Sequence, residues 1–256
     1  LPMAMSFYTA SNAVGTSLAL VVGGMILQWA GERTWDLPVL GTMHPWQFVF
    51  MAVTIPGLIL APAIWAFLRI PPREAHPHYS QDGILKEVGD FGRKRLRLSI
   101  LYTLGVGTLT GAKLSFMLWI PTLLMRIHKL PPGEVGTKLG IMFLVFGVAG
   151  SLLWGGVATL LARRGREDAA MITIVFAVGC FALIVAIPPL MPTPFLVLLT
   201  FAPCLLLVQS FLGLGHAAVQ LVTPSQLRGR VSAVFNGTVN IIAVIVGPTG
   251  IGVVST

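Results

Sequence analysis

Charged residues are scarce in this sequence: they make up 10% of its 256 residues, whereas a soluble domain carries roughly 25%. Apolar residues account for 55%. This composition excludes an ordinary water-soluble domain and indicates an integral membrane protein. The net charge of +8 does not indicate a nucleic-acid-binding protein, because the basic residues lie between hydrophobic segments and form no continuous face.

Cysteine is also rare, and carboxylates are absent from the interior of the apolar segments. The two cysteines, Cys180 and Cys204, each lie inside an apolar segment, where cysteine behaves as a small hydrophobe, so they give no information on redox compartment. The nine carboxylates all lie in loops or at helix ends. The apolar segments contain no metal-ligand cluster, no Ser/His/Asp set and no carboxylate pair. We therefore expect no enzyme activity, no metal and no cofactor.

Long hydrophobic runs are what the sequence has in abundance. A spanning helix needs roughly 20 consecutive apolar residues, and such stretches recur along the whole chain. The predicted fold class is an all-α integral membrane protein with about seven transmembrane helices, at 5–30, 46–69, 98–124, 139–162, 169–190, 194–222 and 230–254. The chain begins and ends close to hydrophobic spans, and we expect seven to be fewer than the native number.

The basic residues predict the orientation of these spans, because cytoplasmic loops carry an excess of Lys and Arg. One side carries most of them, in the segments 71–97, 163–168 and 223–230, while the other has only Arg33, Arg126, Lys129 and Lys138. The three rich segments are predicted to be cytoplasmic. The longest contains apolar residues at helical spacing, which indicates either a short amphipathic helix on the membrane surface or a solvated charged linker.

Two loop segments resemble motifs of the major facilitator superfamily. Gly155-Gly156 followed by Arg163, Arg164 and Arg166 is similar to that family's glycine- and arginine-rich loop motif, although its aspartate is absent and Thr159 stands nearest its place. The run from Thr223 through Arg228 to Ala233 resembles the loop between helices 10 and 11, in detail most like the spinster-like branch. Further similarities lie at the start of the chain (Ala4 to Gly24), at Pro45 to Phe50 and at Trp119 to Gly140.

The resemblance implies part of a twelve-helix fold, covering helices 5 to 11, with helices 1 to 4 and 12 missing. Residues 1–70 would end the N-terminal bundle, 71–97 would be the cytoplasmic central linker, and 98–256 would form the C-terminal bundle. Residues Gly155, Gly156, Arg163, Arg164, Arg166 and Arg228 would then belong to a loop that changes conformation during transport. The family also implies a multi-pass protein of the inner (plasma) membrane.

Lys113 is the clearest candidate for a functional side chain, because an ionisable residue at membrane depth costs roughly 2.5–3.5 kcal/mol and needs a reason. Tyr102, eleven residues earlier, falls on the same helical face. Lys113 could pair with an anionic substrate group, or its side chain could extend to the outer membrane surface.

The sixth span carries a polar stripe at helical spacing, formed by Gln209, Gly213, His216 and Gln220. Such a stripe faces water or protein rather than lipid. His216 could carry a proton, since its ordinary pKa is near neutrality, or it could simply be hydrogen-bonded. On the seventh span Asn236 and Asn240, and on the first Tyr8 and Asn12, repeat a polar spacing of four that favours interhelical hydrogen bonds.

The predicted function is secondary active transport by alternating access, in which helix bundles rock about a site near the membrane midplane. The resemblance implies a small organic or lipid-like substrate, protons as the coupling ion and surrounding membrane lipids as the other partner. An organic-anion or sugar-acid carrier of the same superfamily is one alternative. A seven-helix receptor is an alternative of another class, although the long basic gap after the second span and the position of Lys113 argue against it.

Overall fold

The structure, a computed structural model, describes residues 2–31, 33–37, 41–68, 89, 92–93, 96–166, 168–224 and 227–254. Its α-helices are α1 (Pro2–Ala30), α2 (Pro45–Phe67), α3 (Leu96–Arg126), α4 (Pro132–Met142), α5 (Val148–Arg163), α6 (Ala169–Ile184), α7 (Pro194–Val208), α8 (Ser210–Val222), α9 (Arg228–Val244) and α10 (Gly250–Val254). Two short strands, β1 (Trp35–Leu37) and β2 (Gly41–Met43), lie between α1 and α2. The predicted linker 71–97, with its surface helix, lies mostly outside the described residues.

Seven segments of the described chain are long and apolar enough to cross a membrane, as the sequence predicted. Their bounds are Ser6–Ala30, Pro45–Phe67, Leu96–Arg126, Pro132–Arg163, Ala169–Leu190, Pro194–Val222 and Arg228–Thr249. The second span has no buried residue in the structure, and large side chains such as Trp65 and Phe67 are exposed along it. Exposed apolar surface on this scale indicates contact with lipid or with other protein.

The predicted start of the fourth span, at residue 139, was wrong. The helix begins at Pro132, whose fixed φ suits a first helical position. The first turns carry Glu134 and Lys138, which form an i,i+4 ion pair at 2.5 Å. Because both residues are charged, hydropathy alone places the boundary too late.

The β1–β2 hairpin was not predicted from the sequence. Its strands pair antiparallel, with Trp35 opposite Met43 and Leu37 opposite Gly41. Three-residue strands carry too little alternation to be recognised by pattern. The chain then enters α2 through His44, whose backbone N–H donates to Oε1 of Gln47 over 2.7 Å, so the second span has a fixed starting point.

The main core lies among α3, α4, α5, α6, α7 and α8, around the fully buried ring of Phe201. This ring lies 4.9 Å from the ring of Phe116 and 6.3 Å from that of Phe143, between centroids. Phe181 approaches Phe116 edge-on at 5.7 Å. Aromatic pairs at these distances and angles are favourable beyond the area they bury, and they join four helices here.

The fourth, sixth and seventh spans each contain a departure from regular α-helix. Phe143–Gly147 and Ile245–Thr249 are π-helical turns in the fourth and seventh spans. In the sixth span α7 ends at Val208 and α8 begins at Ser210. The last carbonyls of α7 have other donors: Nε1 of Trp154 donates to Leu206 O, and Oγ of Ser210 donates to Leu207 O, both over 2.8 Å. These bonds supply partners that a helix end lacks and so stabilise the break.

We call the contact surface between α1 and the helices α4, α5 and α8 the α1 seam. Near the Ala30 end of α1, Gly24 packs directly on the backbone of Gly133, and a Cβ at Gly24 would lie 2.7 Å from Gly133 O. Near the other end, Thr9 lies against Gly213 of α8. Small residues allow such backbone approach in lipid, where no hydrophobic force draws helices together.

Candidate functional site

Tyr102, Gly215 and Phe235 bring α3, α8 and α9 together. The Tyr102 hydroxyl donates to the carbonyl oxygen of Gly215 over 2.8 Å. Its ring stacks on Phe235 with centroids 5.7 Å apart and planes 22° apart. The hydroxyl therefore has a partner inside the membrane, where an unpaired polar group is costly.

His216 and Asn236 extend this contact from α8 to α9. Nε2 of His216 donates to Oδ1 of Asn236, and the His216 ring meets Phe235 edge-on at 5.8 Å. Asn240 lies one turn further along α9 and donates from Nδ2 to Asn236 O over 2.8 Å. Three candidate residues from different spans, Tyr102, His216 and Asn236, thus meet around Phe235, and we call these four side chains the tyrosine–histidine cluster.

A cavity of about 520 Å³ borders this cluster. Tyr102 and Phe235 form part of its wall, and Val219, Val231 and Ile242 contribute apolar surface. Thr103 and Thr238 also line the cavity and add hydroxyl groups to its mostly apolar wall. A mostly apolar cavity with a few polar groups is typical of a binding site for an organic molecule.

Lys113 is partly buried in α3, on the helical face that carries Tyr102. Leu109 and Met117, one turn to either side of it, both pack against the main core. The Lys113 side chain is therefore attached to a core-facing side of the helix. Within the part of the chain that the structure describes, its ammonium group makes no hydrogen bond and no ion pair.

The polar stripe of the sixth span divides between two neighbours. Gln209 is buried, 6% exposed, and lies beside Gly147, while Gly213 faces Thr9. His216, on the same helix as Gly213, contacts Asn236 of α9 instead. Gln220 is partly buried near the end of α8. Where their contacts are described, the stripe residues thus face other helices.

Tyr8 and Asn12 are not brought to the tyrosine–histidine cluster. Both are exposed on α1, Tyr8 at 71%, on the side away from the α1 seam. Their neighbours Thr9 and Ala13 are the residues that face the seam. The four-residue spacing correctly put Tyr8 and Asn12 on one helical face, but interhelical bonds from that face are not formed with the described residues.

The loop-motif residues lie in two segments: Gly155 to Arg166 in and just after α5, and Arg228 at the start of α9. Gly155 is buried and its carbonyl accepts a 2.7 Å hydrogen bond from Thr159, the residue nearest the missing aspartate. Gly165 has φ +84°, a backbone conformation that favours glycine and reverses the chain. Arg163, Arg164 and Arg166 are exposed, and Arg228 donates from Nε to Thr223 O over 3.1 Å.

The seven spans described above belong to a sequence that matches a known family over most of its length. A family model described as Major Facilitator Superfamily matches residues 1–248. The chain belongs to this superfamily. No curated protein and no solved structure matches it.

Membership of the Major Facilitator Superfamily makes the chain a multi-pass membrane protein and a secondary transporter of small molecules. The family predicted from the loop motifs is thereby confirmed, and the seven-helix receptor is set aside. Proteins of this superfamily are transporters and not enzymes. The spinster-like branch remains a prediction.

Two contributors to the tyrosine–histidine cluster were missed from the sequence. Phe235 lies between Tyr102 and His216 but is one apolar residue among many in its span. Gly215 supplies the carbonyl acceptor, and a Cβ on it would lie 3.3 Å from Val106. Neither residue carries a local signal, because an acceptor carbonyl and a stacking partner are defined only by the helix opposite.

Tyr102→Phe is expected to reduce stability modestly. The change removes the hydroxyl that donates to Gly215 O but keeps the ring on Phe235, so it should cost about 1 kcal/mol. Thermal unfolding of the purified protein in detergent, followed by intrinsic fluorescence, measures this cost. A Tyr102→Ala variant should lose more, because the stacking goes too. Equal unfolding temperatures for wild type and both variants would contradict the assigned contacts.

Proposed function

We propose that this protein moves a small organic, amphiphilic or lipid-like substrate across the inner (plasma) membrane by alternating access coupled to protons. The observation that carries the proposal is the tyrosine–histidine cluster beside an apolar cavity, with Lys113 on the same helix as the Tyr102 of that cluster. An apolar wall suits an acyl or ring system, and the polar side chains suit a headgroup. The proposed path residues are Lys113, Tyr102, Gln209, His216, Gln220, Asn236, Asn240, Tyr8 and Asn12.

The position of Lys113 inside the membrane favours a substrate that carries an anionic group. A charge inside the membrane without a protein partner is unfavourable, and an anion that enters beside it would relieve that cost. Lys113 and Tyr102 share one face of α3, so a substrate could contact both in passing.

The contact of His216 between two helices is the reason to propose that transport is coupled to protons. It is held by Asn236 across two helices, so a change in its protonation would alter a contact between α8 and α9. In the protonated ring both nitrogens are donors, and the Asn236 oxygen can still accept from Nε2. The proposed motion separates residues 1–70 from 98–256 along the α1 seam, with segments 71–97, 163–168 and 223–230 on the cytoplasmic side.

Lys113→Met is expected to reduce substrate transport at least about tenfold while leaving the protein folded, because methionine keeps the side-chain length and removes the charge. The assay is proton-gradient-driven flux in proteoliposomes, with the protein expressed from its complete reading frame and a panel of lysolipids, fatty acids and sugar acids. Lys138→Met is the matched control, since it removes a partly exposed lysine whose ion pair contributes little.

The panel also separates the two proposed substrate classes. Flux of lysolipids or fatty acids supports the amphiphile, whereas flux of sugar acids alone supports the organic-anion carrier. Unchanged flux in Lys113→Met would mean that this lysine extends to the membrane surface and takes no part in transport.

A further inference from the structure

Gln209 carries an unsatisfied group at the middle of the membrane. Among the residues that the structure describes, its Oε1 is the one buried side-chain oxygen or nitrogen atom without a hydrogen-bond partner. Buried polar groups are nearly always paired, and an orphaned one destabilises the packing that buries it. The question is therefore which conformation gives this amide a partner.

The surroundings of Gln209 are helix irregularities on two facing spans. Gln209 separates α7 from α8, and Gly147 is the last residue of the π-helical turn in the fourth span. A Cβ on Gly147 would lie 3.6 Å from Nε2 of Gln209 and 3.5 Å from Cβ of Ala13. Gly147 and Gln209 are each near the middle of their span, at the depth where transporters interrupt their helices.

The third wall around Gln209 is α1, and it is the wall that moves in alternating access. Ala13 is 2% exposed, and its Cβ and Nε2 of Gln209 approach the same position on Gly147, so α1 packs next to the amide. The hydroxyls nearby are already committed within their own helices: Ser17 donates to Ala13 O over 2.6 Å, and Ser151 donates to Gly147 O over 3.0 Å. The seam as it stands offers Gln209 no free donor among these groups.

We propose that Gln209 is a conformational bias: its unpaired amide oxygen destabilises the closed α1 seam and favours the state in which α1 has moved away. When the seam opens, water reaches Oε1 and the missing hydrogen bond forms. The closed state is therefore not so stable that the transporter remains in it. This inference rests on the alternating access of the proposed function and adds the residue that sets its balance at the seam.

The test measures how often the α1 seam opens, without any substrate. Thr9→Cys places a thiol on the seam face of α1, where the native side chain is 8% exposed and lies against Gly213. Its rate of alkylation by N-ethylmaleimide in proteoliposomes reports the open population. Mass spectrometry of the peptide that carries residue 9 leaves the native Cys180 and Cys204 in place.

In the Thr9→Cys background, Gln209→Met is expected to slow alkylation by roughly 5- to 150-fold, because methionine fits the closed seam with no polar atom to satisfy. Thr108→Val is the matched control. Its hydroxyl is satisfied by Leu104 O in its own helix, so its removal should leave the rate unchanged. Gln209→Leu repeats the test if Gln209→Met fails to fold.

The outcomes separate the inference from the proposed function. An unchanged or faster rate in both Gln209 variants, with measurable alkylation of the Thr9→Cys parent, would overturn the bias and leave alternating access standing. If the parent is never alkylated, then the seam does not open and both are overturned. Slower alkylation with a higher unfolding temperature supports the bias.

Discussion

Gly24→Ala is expected to cost about 3 kcal/mol of stability and to remove most of the monodisperse protein, because the added methyl group has no space in the α1 seam. Its Cβ would lie 2.6 Å from the backbone N of Thr137 and 2.7 Å from the carbonyl oxygen of Gly133. Both neighbours are backbone atoms of α4 and cannot turn aside as a side chain would. The two helices must therefore separate, and the contacts along the seam weaken with them.

The measurement is the fraction of folded protein by fluorescence-detected size-exclusion chromatography, together with the apparent unfolding temperature. Gly15→Ala is the matched control on the same helix, since its Cβ would meet nothing within 4 Å. Both changes add the same helix propensity, so their difference isolates the packing at Gly24. If the two variants were equally stable, α1 and α4 would not be in backbone contact.

Phe201→Ala is expected to destabilise the protein by about 3 kcal/mol, at the lower end of the range for large buried aromatic residues. Phe201 is fully buried, and its ring contacts those of Phe116 and Phe143. When the spans separate in lipid, their side chains stay in an apolar environment. The free energy of transfer from water therefore contributes little to the loss of stability. The lost van der Waals contacts and the cavity account for the effect.

Thermal unfolding in detergent measures the loss at Phe201, with Phe195→Ala as the control. Phe195 lies on the same helix, α7, but is 71% exposed, so truncating it should change stability by less than about 0.5 kcal/mol. A similar loss in both variants would show that Phe201 is not the centre of the core.

The spans were predictable because spanning a membrane depends on local composition. Six of the predicted spans agree with the structure to within a few residues, and the charged start of the fourth misled hydropathy. The candidate site was predictable in part. Polar residues inside apolar helices stand out, so Tyr102, His216 and Asn236 were found, but the helices that they join were not.

Two pairs of residues on α1 show why the contacts between helices could not be predicted. Tyr8 is exposed while Thr9 is buried, and Gly15 meets nothing while Gly24 touches another backbone. In water an apolar stripe marks the face that packs inward, but in lipid both the lipid-facing and the protein-facing sides of a helix are apolar. The hydrophobic pattern of this chain therefore gives little information on which side of each helix faces the other helices.

The sequence by itself determined that this chain crosses the membrane, where its spans lie and to which superfamily it belongs, because hydropathy and loop motifs are properties of short segments. Only the tertiary structure decided that Tyr102 meets Gly215, that His216 meets Asn236 and that Gln209 is buried without a partner. Those facts depend on which helix lies opposite and how closely it approaches. That approach is set by the fit of small residues between helices, which no single segment contains.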